Sequence, residues 1–326
     1  MLRFPTIDLA ALRDGSAAHH RETVRTLGKA CRETGFFGVT GHGISAAAKA
    51  ALFQAARDFF SLPLDEKNAL SIARSPHNRG YVGLRAERLN AGCAPDQKEA
   101  FNIGLELSAD DVEVTERRPL RGLNFWPDLP GWRQRMLTYY NQSLEIGRLL
   151  HRGFSIDLGL EEDFFDAKLA APAAVLRLLR YPPRVPPVCA SSSLGPTSEA
   201  PGAGEHTDYG NITLLATDGV AGLQVRRRDG LWLEVADTQD LLLCNIGDCL
   251  MRWTNDQYVS TPHRVRMPTA ERYSIAFFLD PNPDAIVDPA MVRPNEAPRY
   301  EPISVRDYLL SRLTATYDHL NRAAMA

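Results

Sequence analysis

The chain has 326 residues, 44% of them hydrophobic, with 37 Lys and Arg against 40 Asp and Glu for a formal net charge of −3. This is an ordinary globular composition with enough apolar residues for a full core. The near-neutral balance excludes a broad electrostatic grip on nucleic acid, and no stretch reaches the ~18 consecutive apolar residues of a membrane span. The five scattered cysteines argue against a disulfide framework and for a reducing, cytoplasmic setting.

Taken in chain order, the start MLRFPTIDLAALRDG places acids within its apolar part and lacks a small-residue cleavage site, so no signal peptide is expected. Residues 20–34 have helical spacing, with Val24, Leu27, Ala30 and Cys31 on one face. GFFGVTGHGI, residues 35–44, is a short strand ending in a glycine-rich turn that His42 is expected to fix. Ser45 is the N-cap expected for a helix over 46–62 that Pro63 stops. Residues 75–94 are polar and irregular and carry Arg85 and Glu87, the kind of loop that lines sites. A long amphipathic helix follows over 132–158, with Met136, Leu137, Tyr140, Leu144 and Leu149 inward and a structural His151. A shorter helix is expected over 161–169.

After residue 173 the pattern becomes short apolar or alternating segments, over 175–181, 211–217, 222–227, 231–235, 241–244, 249–254, 263–266 and 272–279. Such spacing predicts a sandwich or jelly-roll barrel, a mainly β fold with flanking helices. Asp229-Gly230 marks a hairpin. A helix over 304–319, capped by Ser304, closes the chain. Residues 182–204, rich in Pro, Ser and Gly, are expected to form a flap over a site. The organisation expected is an α/β segment over 1–110 packed on a unit over 111–326 that holds the barrel and its helices.

Just after that flap comes GEHTDYG. On a strand His206 and Asp208 would share a face, and His263 in STPHRVR would supply a third ligand from a neighbouring strand. Two imidazoles and one carboxylate with open positions suit a non-haem Fe(II) oxygenase, whereas a structural zinc site is closed by four protein ligands. Arg272 and Ser274 also share a strand face. A guanidinium aimed into a barrel needs an anion, and a small acidic molecule would be gripped by its fork.

HTDYGNITLL, NIGDCLMRWTNDQYVSTPHRV and RYSIAFFLDP resemble the isopenicillin N synthase-like branch of the Fe(II)/2-oxoglutarate-dependent oxygenases, and FPTIDL, DFFSLPLDEK, LRLLRYPP and YLLSRLTATY extend the resemblance over most of the chain. The resemblance implies a double-stranded β-helix and three iron ligands, His206, Asp208 and His263. It also implies Arg272, Ser274 and Tyr181 around the distal carboxylate of 2-oxoglutarate, with Arg177 near its iron-side carboxylate. The activity implied is hydroxylation of a small molecule by O2 through a ferryl-oxo oxidant, with succinate and CO2 released. The motifs look most like the thymine 7-hydroxylase group and the bacterial ethylene-forming branch. Ethylene and succinate formation, an oxidative cyclisation without 2-oxoglutarate, and a non-catalytic metal sensor are the other readings.

Glu87 and Tyr209 match positions near substrate in those groups, so a nucleobase-like or amino-acid-like substrate is expected, drawn to a negative charge from Glu87 on an otherwise apolar rim. Ile212, Leu214, Phe277 and Trp253 are candidate pocket liners, with strand register open. No nucleic-acid or membrane partner is expected, and the oligomeric state is not legible.

Overall fold

The computed structural model describes residues 4–89, 94–184, 201–235 and 241–316. Its strands are β1 (Thr6–Asp8), β2 (Phe36–Thr40), β3 (Gly80–Val82), β4 (Glu99–Gly104), β5 (Val175–Tyr181), β6 (Ala203–His206), β7 (Ile212–Thr217), β8 (Leu223–Arg226), β9 (Trp232–Glu234), β10 (Leu242–Ile246), β11 (His263–Val265) and β12 (Arg272–Leu279), with β13 (Ile286–Val287) and β14 (Ile303–Ser304) as a separate pair. Its helices are α1 (Leu9–Asp14), α2 (Ala17–Glu33), α3 (Ala46–Phe60), α4 (Leu64–Ala69), α5 (Val112–Thr115), α6 (Trp132–Asp157), α7 (Asp248–Trp253), α8 (Pro289–Val292) and α9 (Val305–Thr316).

Eight strands make one sheet in the order β1-β2-β10-β7-β12-β5-β4-β3, and four make a second in the order β6-β11-β8-β9. Together they form the double-stranded β-helix. The N-terminal strands are hydrogen-bonded into the large sheet rather than stacked on it: β4 pairs β5 along its length, Glu99 opposite Arg180 to Gly104 opposite Val175.

Period-2 alternation divides the large sheet into two faces. Tyr273, Ile275, Phe277 and Leu279 of β12 join the helices in the main core, with the Tyr140 ring edge-on to Phe277 at 5.0 Å. Leu179, Tyr181, Leu243, Val265 and Ala276 form a smaller cluster in the barrel interior. The helices begin where side chains satisfy their first amides: Ser16 accepts from the His19 amide and Ser45 from the Ala48 amide. Ser304 accepts from the Asp307 amide and donates to its carboxylate ahead of α9. No helix among the described residues is long and apolar enough to cross a membrane.

Several expectations are corrected. Residues 249–254 are helix α7, not a strand, because a six-residue apolar run fits either and tertiary contacts decide. Residues 161–169 form turns and a short 3-10 segment, Ala167–Leu169. The 75–94 loop contains β3. Ile212, Leu214, Phe277 and Trp253 belong to the helix-facing core, and the cavity-facing residues are their neighbours Thr213, Leu215, Ala276 and Phe278. A register shifted by one residue exchanges the faces. Most of the expected flap, residues 185–200, lies outside the described residues, as do Cys93 and Cys189; Cys31, Cys244 and Cys249 are buried free thiols.

His151 is structural. Its Nδ1 donates to the Gly147 carbonyl at 2.7 Å, and its Nε2 accepts from Asn211 Nδ2 at 3.1 Å. Burial pushes its pKa down to about 4. The folded pKa lies below the unfolded value, so the neutral ring's contribution is complete above about pH 6.5 and is lost as pH falls towards 4. Acid titration of stability is expected to reveal a loss of roughly 3 kcal/mol across that window, and His151→Gln should flatten it in urea melts at each pH.

Candidate active site

β6 and β11 run antiparallel with His206 opposite His263. β6 ends at His206, so Asp208 sits in the turn beyond it and not on the strand. Helix α7 fixes that turn. The Asp248 amide donates to the Asp208 carbonyl at 2.8 Å, and the Cys249 amide to the carbonyls of Tyr209 and Gly210 at 3.0 Å. Thus the free amides of a helix start are satisfied by the loop that carries a ligand. Gly247 permits the approach, since a Cβ there would lie 2.3 Å from the Gly210 carbonyl oxygen.

The three side chains converge. Their ligand atoms lie within 4.8 Å of one another. His206 Nε2 and His263 Nε2 stand 3.8 and 3.6 Å from Asp208 Oδ1. Each imidazole is oriented from behind: His206 Nδ1 donates to the Gly204 carbonyl at 2.7 Å and His263 Nδ1 to the Thr261 carbonyl at 3.1 Å. That leaves both Nε2 lone pairs facing the carboxylate. Asp208 Oδ2 is held by Thr213 Oγ1 at 2.5 Å and Asn245 Nδ2 at 2.7 Å, so Oδ1 is turned to the imidazoles. Burial, and then the neighbouring His263, push His206 down to about 3. Burial would raise Asp208, but the two imidazoles and the Asn245 and Thr213 hydrogen bonds outweigh it and hold the carboxyl below its ordinary range. Two neutral imidazoles and one carboxylate fit a divalent cation; sequence reasoning did not single out Thr213 or Asn245.

The triad opens into a cavity of about 180 Å³. At one end Arg272, 1% exposed, faces inward. Its Nε donates to the Val220 carbonyl at 3.1 Å and its Nη1 to Ser274 Oγ at 3.3 Å, while its guanidinium lies 4.9 Å from the centre of the Tyr181 ring. Tyr181 is its cross-strand partner. Among the described residues no carboxylate pairs with Arg272. A buried cation whose charge no described carboxylate meets fits a carboxylate ligand.

Glu87 does not carry an exposed charge to the rim. It is 4% exposed and bonded through both carboxylate oxygens to Arg177 Nη2 at 2.6 Å, with Lys98 Nζ at 3.3 Å. Lys98 also pairs with Asp96 at 2.5 Å, and Asp96 Oδ1 accepts from the Gly204 amide at 2.9 Å, behind His206. This balanced cluster braces the metal-side strand, and Arg177 and Lys98, rather than Glu87, line the cavity. Arg85 is exposed and donates to Gln97 Oε1 at 3.0 Å. Tyr209 lines the cavity under the Arg312 guanidinium at 4.5 Å, and His42 Nδ1 accepts from the Ile44 amide in its turn. Glu87→Gln is expected to cost about 3–5 kcal/mol in denaturant unfolding, because it removes the carboxylate from a buried ion cluster.

Comparison with known proteins places these features. Residues 4–129 match the non-haem dioxygenase N-terminal family, described from morphine synthesis, and residues 173–281 match the 2OG-Fe(II) oxygenase superfamily. The chain is 35% identical to the 2-oxoglutarate-Fe(II) type oxidoreductase hxnY of Emericella nidulans, over 96% of this chain and 90% of that one. It is 34% identical to the 2-oxoglutarate-dependent dioxygenase citB of Monascus ruber, over 96% and 95%. The structure of the thymine 7-hydroxylase of Neurospora crassa in complex with alpha-KG and thymine superposes with a TM-score of 0.82 at 28% identity, covering 96% of both chains. Matched in both halves and along nearly its whole length, this chain belongs to the Fe(II)/2-oxoglutarate-dependent oxygenase superfamily and is a non-haem dioxygenase.

Proposed function

We propose that this protein hydroxylates a small molecule, with His206, Asp208 and His263 holding Fe(II) and with Arg272, Ser274 and Tyr181 holding the distal carboxylate of 2-oxoglutarate. The single observation that carries this reading is the pairing, in one cavity, of a braced His/Asp/His triad with a buried guanidinium that no protein carboxylate among the described residues neutralises. When bound, iron and 2-oxoglutarate supply the oxidising power for C–H hydroxylation by O2, with succinate and CO2 as coproducts.

The chain's own residues supply binding, orientation and shielding. The Gly204 and Thr261 carbonyls fix both imidazole tautomers. Thr213 and Asn245 hold one Asp208 oxygen and leave the other for the cation. Tyr181 backs the Arg272 fork. Leu179, Leu215, Leu223 and Phe278 line the cavity and keep water from its interior. Binding of thymine and of 5-formyluracil by the Neurospora crassa enzyme supports a substrate of similar size.

The test is succinate formation by iron-loaded protein given 2-oxoglutarate and a panel of small heterocycles and amino acids. One class is expected to raise succinate well above the substrate-free background, with a product heavier by one oxygen in mass spectrometry. Ethylene release with each turnover, or turnover that needs no 2-oxoglutarate, would reject hydroxylation.

A further inference from the structure

The reading of the cavity as an oxygenase site leaves its far end unexplained. β5 and β12 measure its length: Tyr181 and Arg272 mark one end, Val175 and Asp280 the other. The six residue steps of β5 at about 3.3 Å each separate these ends by roughly 20 Å. A short diacid anchored on Arg272 leaves the far end open.

Three buried polar side chains there each keep an atom without a partner among the described residues. Asp280, 7% exposed, has no hydrogen-bond partner for Oδ1 among the described residues. Neither does Asn102 Oδ1, in a side chain 1% exposed. Arg79, 3% exposed, donates only to backbone carbonyls, those of His77 at 2.9 Å, Asn78 at 3.5 Å and Leu120 at 3.3 Å, and its Nε has no partner. Among the described residues no carboxylate pairs with it. Asp280 and Arg79 form no ion pair with each other. All three side chains line the cavity.

The position of Asp280 is built in. A Cβ at Gly210 would lie 1.7 Å from Asp280 Oδ1, so the carboxyl fills space that any other residue at 210 would take. Unpaired buried acceptors and an uncompensated cation weaken a fold. Proteins retain such groups where a ligand completes them.

We infer that Asp280 and Arg79 are the specificity-determining pair of the substrate pocket, Asp280 accepting from the ammonium group and Arg79 facing the carboxylate of a compact amino acid. Asn102 offers a second acceptor on the same side. The inference rests on the proposed function, since it assigns the far end of that cavity to substrate.

The probes are pipecolic acid, cyclohexanecarboxylic acid and piperidine, which share a six-membered ring and differ in amine and carboxylate. Each is titrated by anaerobic calorimetry into protein saturated with iron and 2-oxoglutarate. Pipecolic acid is expected to bind about tenfold or more tightly than either of the others. Asp280→Asn should bring it down to the level of cyclohexanecarboxylic acid, and Arg79→Gln to that of piperidine. Asp280→Asn should also keep its 2-oxoglutarate affinity and melt no lower than the parent, because its amide oxygen can still accept from the Asn211 amide. If Arg79→Gln fails to fold, the Asp280→Asn arm decides alone. Equal binding of the three probes, no binding of pipecolic acid, or an Asp280→Asn protein that melts lower yet keeps the preference overturns the inference. Failure of the parent protein to bind 2-oxoglutarate would instead overturn the proposed function and take the inference with it.

Discussion

Asp208→Ala is expected to abolish succinate formation and Fe(II) binding while leaving the chain folded. Asp208 is the only charged member of the triad, and both imidazole Nε2 atoms face its Oδ1, at 3.8 and 3.6 Å. Without it two neutral imidazoles remain, and a divalent cation loses its counter-charge. The fold should persist because removing a buried charge offsets the two donors left behind on Thr213 and Asn245, each costing about 1–3 kcal/mol if unsatisfied. Asn245→Ala is the graded companion: it removes only a bond to the ligand, and such partners are worth about 10- to 100-fold in metal affinity or activity. Anaerobic Fe(II) titration with succinate assays checks both. Full activity in Asp208→Ala would remove the triad from the metal site.

Arg272→Lys should weaken 2-oxoglutarate binding by about 10- to 150-fold, the equivalent of about 1.5–3 kcal/mol for one lost charge-assisted hydrogen bond. Lysine keeps the charge but not the planar fork, and it cannot stack over Tyr181 as the guanidinium does. It also leaves the Val220 carbonyl without its donor. Arg177→Ala should lower 2-oxoglutarate affinity less, since that side chain is committed to Glu87, and raise uncoupled turnover more. Calorimetry with each variant separates the two arginines. Unchanged affinity in Arg272→Lys would mean that another group holds the cosubstrate.

Much of this architecture was legible in the residues. β5 and β12 have the bounds expected for them, because short apolar or alternating segments set off by turn residues read as strands. Capping serines marked α3 and the approach to α9, whereas Ser16, which caps α2, was not singled out. Helix α7 was not legible, since its short apolar run suits a strand equally well. Asp280 and Arg79 passed unnoticed, although a signal for Asp280 existed: the inward period-2 series from Arg272 through Ser274, Ala276 and Phe278 continues to it.

The sequence by itself determined a strand-rich half of sandwich or barrel type, its helical cover and the residue types of the triad, because those depend on local periodicity and on side-chain chemistry; the choice of a double-stranded β-helix came from the family resemblance. Only the tertiary structure decided where charges are met and which oxygen or nitrogen is free. Glu87 looked like a rim charge until Arg177 on β5 and Lys98, just ahead of β4, arrived to neutralise it. Asp208 looked like a strand residue until the amides at the start of α7, far along the chain, captured the carbonyls of its turn. Hydrogen bonds and ion pairs between distant segments leave no period in the chain, so their outcome is settled only when the strands have closed around the cavity.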